Sequence, residues 1–192
     1  MGLITDFLKD PRAFILLVIP LLYSIIFHEL AHGWVAYRMG DPTAKMMGRL
    51  SLNPLKHLDP IGTLMLFFVG FGWAKPVPVN FLNLRPRRAG LILVASAGIL
   101  TNILLALIAF LWLGRISVYS NHMLAEILNN LMWINMGLAV FNLVPIPPLD
   151  GSKILMGFLP ARYQYYLARL EPYGFFFIIA LVLLLRMLLR IL

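Results

Sequence analysis

The stretch "IIFHELAHGW", Ile25–Trp34, sets His28, Glu29 and His32 in otherwise apolar surroundings. Positions i and i+4 share one face of a helix, so a helix here turns both imidazoles toward one point with Glu29 beside it. This HExxH spacing suits zinc-dependent hydrolysis, in which the imidazoles hold Zn²⁺ and the glutamate acts on water as general base. The plainer alternative is a pair of histidines hydrogen-bonded to neighbouring helices, with Glu29 paired to a cation. That is a costly way to pack helices, because each ionisable group inside a membrane span costs about 2.5–3.5 kcal/mol by insertion scales.

A catalytic zinc usually has three protein ligands plus water. The chain has no cysteine, so the third ligand must be His, Asp or Glu. Asp150 stands apart from the other acids, in "FNLVPIPPLDGSK". Pro145, Pro147 and Pro148 forbid helix there, and irregular backbone at membrane depth is tolerated only where it is buried in protein or lines a wet cavity. The chain is thus unwound where it would deliver a carboxylate. Asp150 could instead N-cap a short helix beginning near Ser152, but a two-histidine site lacking a ligand favours the metal. His57 and His122 read as solvated.

The elements that would position these groups are membrane spans. Of 192 residues, 61% are hydrophobic and 12% charged, whereas a soluble domain is nearer half apolar and a quarter charged. Four segments are long enough to cross: about 13–38, 89–113, 123–144 and 172–192, each about 30–37 Å as helix. "PIGTLMLFFVGFGW", Pro60–Trp73, is too short for a span and reads as re-entrant or interfacial. "GRLSLNP" before it alternates like a strand, and "AKPVPVNFLNLRP" after it is extended. The net charge of +8 fits cytoplasmic loops better than nucleic acid, since the basic residues form no stripe. If Pro60–Trp73 does not cross, eleven Lys and Arg lie on one side and five on the other. That predicts an active site toward the cytoplasm and the N-terminus outside. "MGLITDFLKDPR" does not read as a signal peptide.

Together, HELAH in the first span and N-x-x-P-x-x-x-x-D-G at Asn142, Pro145, Asp150 and Gly151 resemble the site-2 protease family of intramembrane zinc metalloproteases. "GRLSLNPLKHLDPIGTL" and "GWAKPVPVNFLNLRPRR" resemble its small prokaryotic members, including a re-entrant region between the first two core helices. The resemblance covers roughly residues 20 to 155. It implies that His28, His32 and Asp150 ligate one Zn²⁺ and that Glu29 is the catalytic base. It also places Asn142, and through "SAGILTN" Asn102, near the active site as possible transition-state or substrate contacts. Ile99, where a proline often stands, and Ser152, where a second glycine is frequent, depart from the pattern without touching a ligand. Gly98, Asn102 and Ala106 form a small-residue stripe that permits close helix packing.

The expected protein is all-α and polytopic: about four transmembrane helices plus a re-entrant or β-hairpin-like segment between the first two. It forms one domain over 1–192, with a core at 13–158 and a C-terminal helix at about 172–192. Its expected function is hydrolysis of peptide bonds in or near transmembrane segments of protein substrates in the lipid bilayer. Three readings compete: cleavage of surface loops by the same chemistry, a non-catalytic metal- or protein-binding homologue, and metal transport. Nucleic acid is not an expected partner, and the sequence names neither the oligomeric state nor the substrates.

Overall fold

The computed structural model describes residues 7–69, 72–116, 121–174 and 176–180. Three of its helices are long and apolar enough to cross a membrane: α1 (Pro11–Arg38), α4 (Arg87–Leu113) and α5 (His122–Leu143). Shorter helices are α2 (Thr43–Met46), α3 (Pro60–Val69), α6 (Asp150–Phe158) and α7 (Ala161–Leu170). The fourth predicted span lies outside the described residues from position 181 onward, Arg186 and Arg190 included.

Helix α4 is the centre of the fold and packs against α1, α5 and α6. It can do so because the face it presents is small: Gly90, Ala95, Ala97, Gly98, Ala106 and Ala109 are all buried. Close approach of backbones replaces the hydrophobic drive that lipid cannot supply. The outer faces carry the large side chains. Ile19 and Trp34 of α1, Leu100, Phe110 and Trp112 of α4, and Trp133 and Val140 of α5 are exposed. The result is an apolar exterior of the kind a bilayer solvates.

On α1 the buried face falls every fourth residue, at Leu16, Pro20, Ser24, His28, His32 and Ala36. Asp10 starts the helix by accepting a hydrogen bond from the Ala13 N–H at 3.0 Å, the ordinary work of an N-cap. Pro20 has no N–H and leaves the Leu16 carbonyl without its helical partner. The Asn130 side chain on α5 donates to that carbonyl at 3.0 Å. One turn further, Ser24 donates to the Pro20 carbonyl at 2.7 Å and accepts from Asn135 at 2.7 Å. Asn135 is thus a hydrogen-bonding link between α5 and α1, while Trp133 is exposed.

Between α1 and α4 the chain enters and leaves on the same side. Leu58 and Ala74 form an isolated antiparallel bridge, and the Lys75 N–H donates to the His57 carbonyl at 2.8 Å. The ends of this stretch therefore lie side by side, and α3, 10 residues long, reaches only about 15 Å. The two ends are thus placed as those of a re-entrant segment would be. The strand expected in "GRLSLNP" does not form. Asn53 instead caps a 3-10 turn at Pro54–Lys56 by accepting from the Leu55 N–H, since proline at the first turn and an Asn cap favour helical geometry over a ladder. His57 is not solvated either: it is 1% exposed and contacts the Ser51 carbonyl through Nε2 at 2.7 Å, bracing the loop from within.

Candidate active site

Helix α1 carries His28 and His32 to the surface it buries against α4, and the unwound turn after α5 brings Asp150 to the same place. Nε2 of His28 and Nε2 of His32 are 3.0 Å apart. Each is 3.1 Å from Oδ2 of Asp150. All three residues are buried. Asp150 is the first residue of α6, inside the helix, and the N-cap position is held by Leu149 in extended conformation, with no side-chain capping hydrogen bond. The capping alternative therefore fails, and the carboxylate is free to face the imidazoles. Gly151 allows this turn, because a Cβ there would strike the Leu143 and Val144 carbonyl groups.

The donor set fits a divalent cation. His32 Nδ1 lies 2.7 Å from the Val94 carbonyl, which can only accept, so the ring proton sits on Nδ1 and Nε2 carries a lone pair when the ring is neutral. That lone pair faces a carboxylate oxygen and another imidazole nitrogen. A shared proton could satisfy only one of the three contacts; a cation satisfies all. Ligand atoms about 2.0–2.1 Å from a tetrahedral zinc stand about 3.3 Å apart, close to the spacing here. Among the described residues, His28, His32 and Asp150 are the group that could hold a metal ion.

Glu29 sits beside the triad. Its Oε2 accepts a hydrogen bond from the Val77 backbone N–H at 2.7 Å. A cavity of about 500 Å³ opens over these groups and is lined by His28, Glu29, His32, Val77, Asn142 and Asp150, among others. Asn142 donates one amide hydrogen to the Leu138 carbonyl at 3.0 Å, leaving the other for the cavity. Asn102 does not line it; it is fully buried one turn beyond Gly98, its carboxamide without a hydrogen-bond partner.

The chain matches the model of Peptidase family M50 over residues 16–185. It belongs to peptidase family M50. This is the site-2 protease family, and the chain is accordingly a site-2-type zinc metalloprotease and a multi-pass membrane protein. A Bacillus subtilis protein named "Putative zinc metalloprotease YwhC" is 47% identical over 168 residues, covering 83% of this chain and 76% of that protein. "Putative zinc metalloprotease Rip2" of Mycolicibacterium smegmatis is 30% identical, covering 88% and 67%. An archaeal relative, "Putative zinc metalloprotease MJ0611" of Methanocaldococcus jannaschii, is 30% identical, covering 74% and 70%. No solved structure matches.

Two parts of this M50 site were beyond sequence reasoning. The sequence marks Gly98 only as a packing residue, yet a Cβ there would stand 2.5 Å from His32 Nε2 and 2.6 Å from His28 Nε2. It is the opening in α4 that admits the imidazoles. The GxxxN spacing of "GILTN" was the visible signal, but nothing in it says what the glycine faces. The Val77 amide leaves no side-chain signature at all.

Proposed function

We propose that this protein hydrolyses peptide bonds in or near transmembrane segments of membrane proteins, with His28, His32 and Asp150 as zinc ligands and Glu29 as general base. The observation that carries this reading is the convergence of three donor atoms within 3.1 Å of one another beside the Glu29 carboxylate, with both imidazoles and Glu29 on a helix long enough to span a bilayer. His28 lies ten residues from Arg38, about 15 Å along the helix, which supports chemistry below the membrane surface.

When bound, zinc supplies Lewis acidity toward the scissile carbonyl and toward water. The protein's own groups do the rest. Glu29 has one oxygen committed to Val77; the other takes a proton from attacking water and passes it to the departing amine. Asn142 offers its spare amide hydrogen to the peptide held in the cavity. A substrate helix hides its carbonyls in hydrogen bonds and must unwind before attack, and Pro76, Val77 and Val79 of the irregular segment 75–80 border the cavity where an unwound peptide would lie.

The deciding experiment compares cleavage of a fluorogenic transmembrane peptide by the native protein and by Glu29→Gln, with zinc content measured in both. We expect zinc retained and turnover down by about 10²–10⁴. Equal turnover overturns the general-base reading, and a merely metal-binding homologue would cleave nothing in either form. Moving the scissile bond along the substrate separates intramembrane cleavage from cleavage of surface loops. We further propose that the cavity opens toward the cytoplasm with the N-terminus outside. Because the native chain has no cysteine, single cysteines replacing Lys9 and Lys56 should label from opposite sides of intact cells.

A further inference from the structure

The peptide group between Pro76 and Val77 is held at both ends by charged side chains. Its N–H donates to Oε2 of Glu29 at 2.7 Å. Its carbonyl oxygen accepts from Nη2 of Arg49 at 3.1 Å, and the same nitrogen donates to the Lys75 carbonyl at 2.7 Å. A trans peptide is planar, with its C=O and N–H pointing in opposite directions. The arrangement therefore runs in a line from guanidinium through one rigid plane to carboxylate.

Arg49 is an unusual residue to find in this position. It is 7% exposed, and among the described residues no carboxylate pairs with it. A buried charge without a counterion is costly; here Nη2 donates to two backbone carbonyls, and Nε has no hydrogen-bond partner. The segment it grips has few other restraints. Pro76 and Pro78 have no N–H, so only Lys75, Val77 and Val79 contribute amides between residues 75 and 79. The Lys75 N–H is taken by His57 and the Val77 N–H by Glu29. Gly33 permits the approach, since a Cβ there would stand 2.8 Å from a Val77 methyl.

We propose that Arg49 is a positioning residue for catalysis: by fixing the Pro76 carbonyl it aims the Val77 N–H, which holds the Glu29 carboxylate in the orientation that presents its other oxygen to water. This rests on Glu29 acting as the base, and the tests below separate the two. A carboxylate on a flexible two-methylene stem sweeps several ångströms, whereas general-base catalysis needs hydrogen-bond reach of the proton. One fixed oxygen removes that freedom.

Arg49→Gln should lower kcat on a transmembrane peptide at least tenfold, with KM within twofold and zinc stoichiometry unchanged. Arg49→Lys should recover part of the loss, because an ammonium can still donate to the Pro76 carbonyl. Val77→Pro, which deletes the N–H, should reproduce the kcat defect, and the double variant should be no worse than the poorer single one. A readout independent of activity is amide exchange in zinc-free protein: the Val77 amide should exchange at least tenfold faster in Arg49→Gln. If Glu29→Gln is inactive but Arg49→Gln keeps kcat within twofold, Arg49 has no positioning role and the base reading stands. A rise in KM alone, or losses that multiply in the double variant, also overturns the proposal. Should Arg49→Gln fail to fold, Val77→Pro decides: wild-type kcat there overturns it.

Discussion

The proposed metal triad and the proposed general base Glu29 line the same cavity yet are held by different kinds of structure. The triad rests on helices. His28 and His32 are fixed by the period of α1, by a glycine in α4 and by the Val94 carbonyl. Glu29 shares that helix, but its carboxylate is restrained by an irregular segment whose own place is set by side chains reaching backbone atoms: Arg49 at Lys75 and Pro76, and Asp41 at Asn80. Helix packing in lipid is rigid because backbones touch. A loop held by polar contacts can be loosened one contact at a time. Affinity for metal and competence for turnover should therefore be separable by mutation.

The largest effect should come from the rigid half. Gly98→Ala places a methyl carbon 2.5 Å from the imidazole pair, where 3.4 Å is ordinary contact, so α1 and α4 must separate or the rings must turn. Zinc affinity should fall by about 10–100-fold, the range seen when the supports of a metal site are disturbed, and turnover should fall with it. Zinc titration of the purified variant checks this. Native affinity in Gly98→Ala would mean the helices are less tightly apposed than the structure has them.

The irregular half should fail differently. Asp41 is completely buried and accepts from Thr43, from the Asn80 N–H at 2.7 Å and from the Asn83 amide at 2.9 Å. Asp41→Ala leaves those donors unmatched, at about 1–3 kcal/mol for a buried unsatisfied group. Turnover should drop several-fold and segment 75–83 should exchange faster, while zinc content stays at the native level. Loss of zinc in this variant would show the two halves to be one unit.

How legible this was in the sequence follows the same division. The three described spanning helices, the i, i+4 histidines and Asp150 after a proline-broken turn could be read, because periodicity and backbone-breaking residues are local. That the segment after Pro60 is too short to span followed from length. What could not be read are contacts in which one partner is backbone, such as the Val77 amide and the carbonyls taken by Arg49, since any residue type supplies them. His57 was misread for a related reason. A histidine beside lysine and aspartate looks solvated until the loop that encloses it is known. Gly98 falls between: its small size was visible, its neighbours were not.

A smaller effect isolates the scaffold from both halves. Asn130 donates to the Leu16 carbonyl that Pro20 leaves unpaired. Interhelical hydrogen bonds in membranes average about 0.6 kcal/mol and reach about 1.7. Asn130→Leu should thus lower the thermal midpoint in detergent by a few degrees and change neither zinc content nor kcat. A kcat defect would extend the catalytic machinery to the far end of α1.

The least perturbing test uses pH, and its sign follows from Asp41. Burial alone would raise this carboxyl, but hydrogen bonds from Thr43, Asn83 and the Asn80 and Thr43 backbone outweigh it and hold it below the usual carboxylate range. A group whose folded value lies below its unfolded value of about 3.9 stabilises fully above that value and stops doing so as pH falls through the folded one. The stability difference between the native protein and Asp41→Asn should then be constant from pH 8 to about 4.5 and shrink below about 4. Exchange in segment 75–83 should follow the same profile, since Asp41 is its anchor. A difference that already narrows near pH 6 would place the titrating group elsewhere, and the loop that restrains Glu29 would be held by something other than this carboxylate.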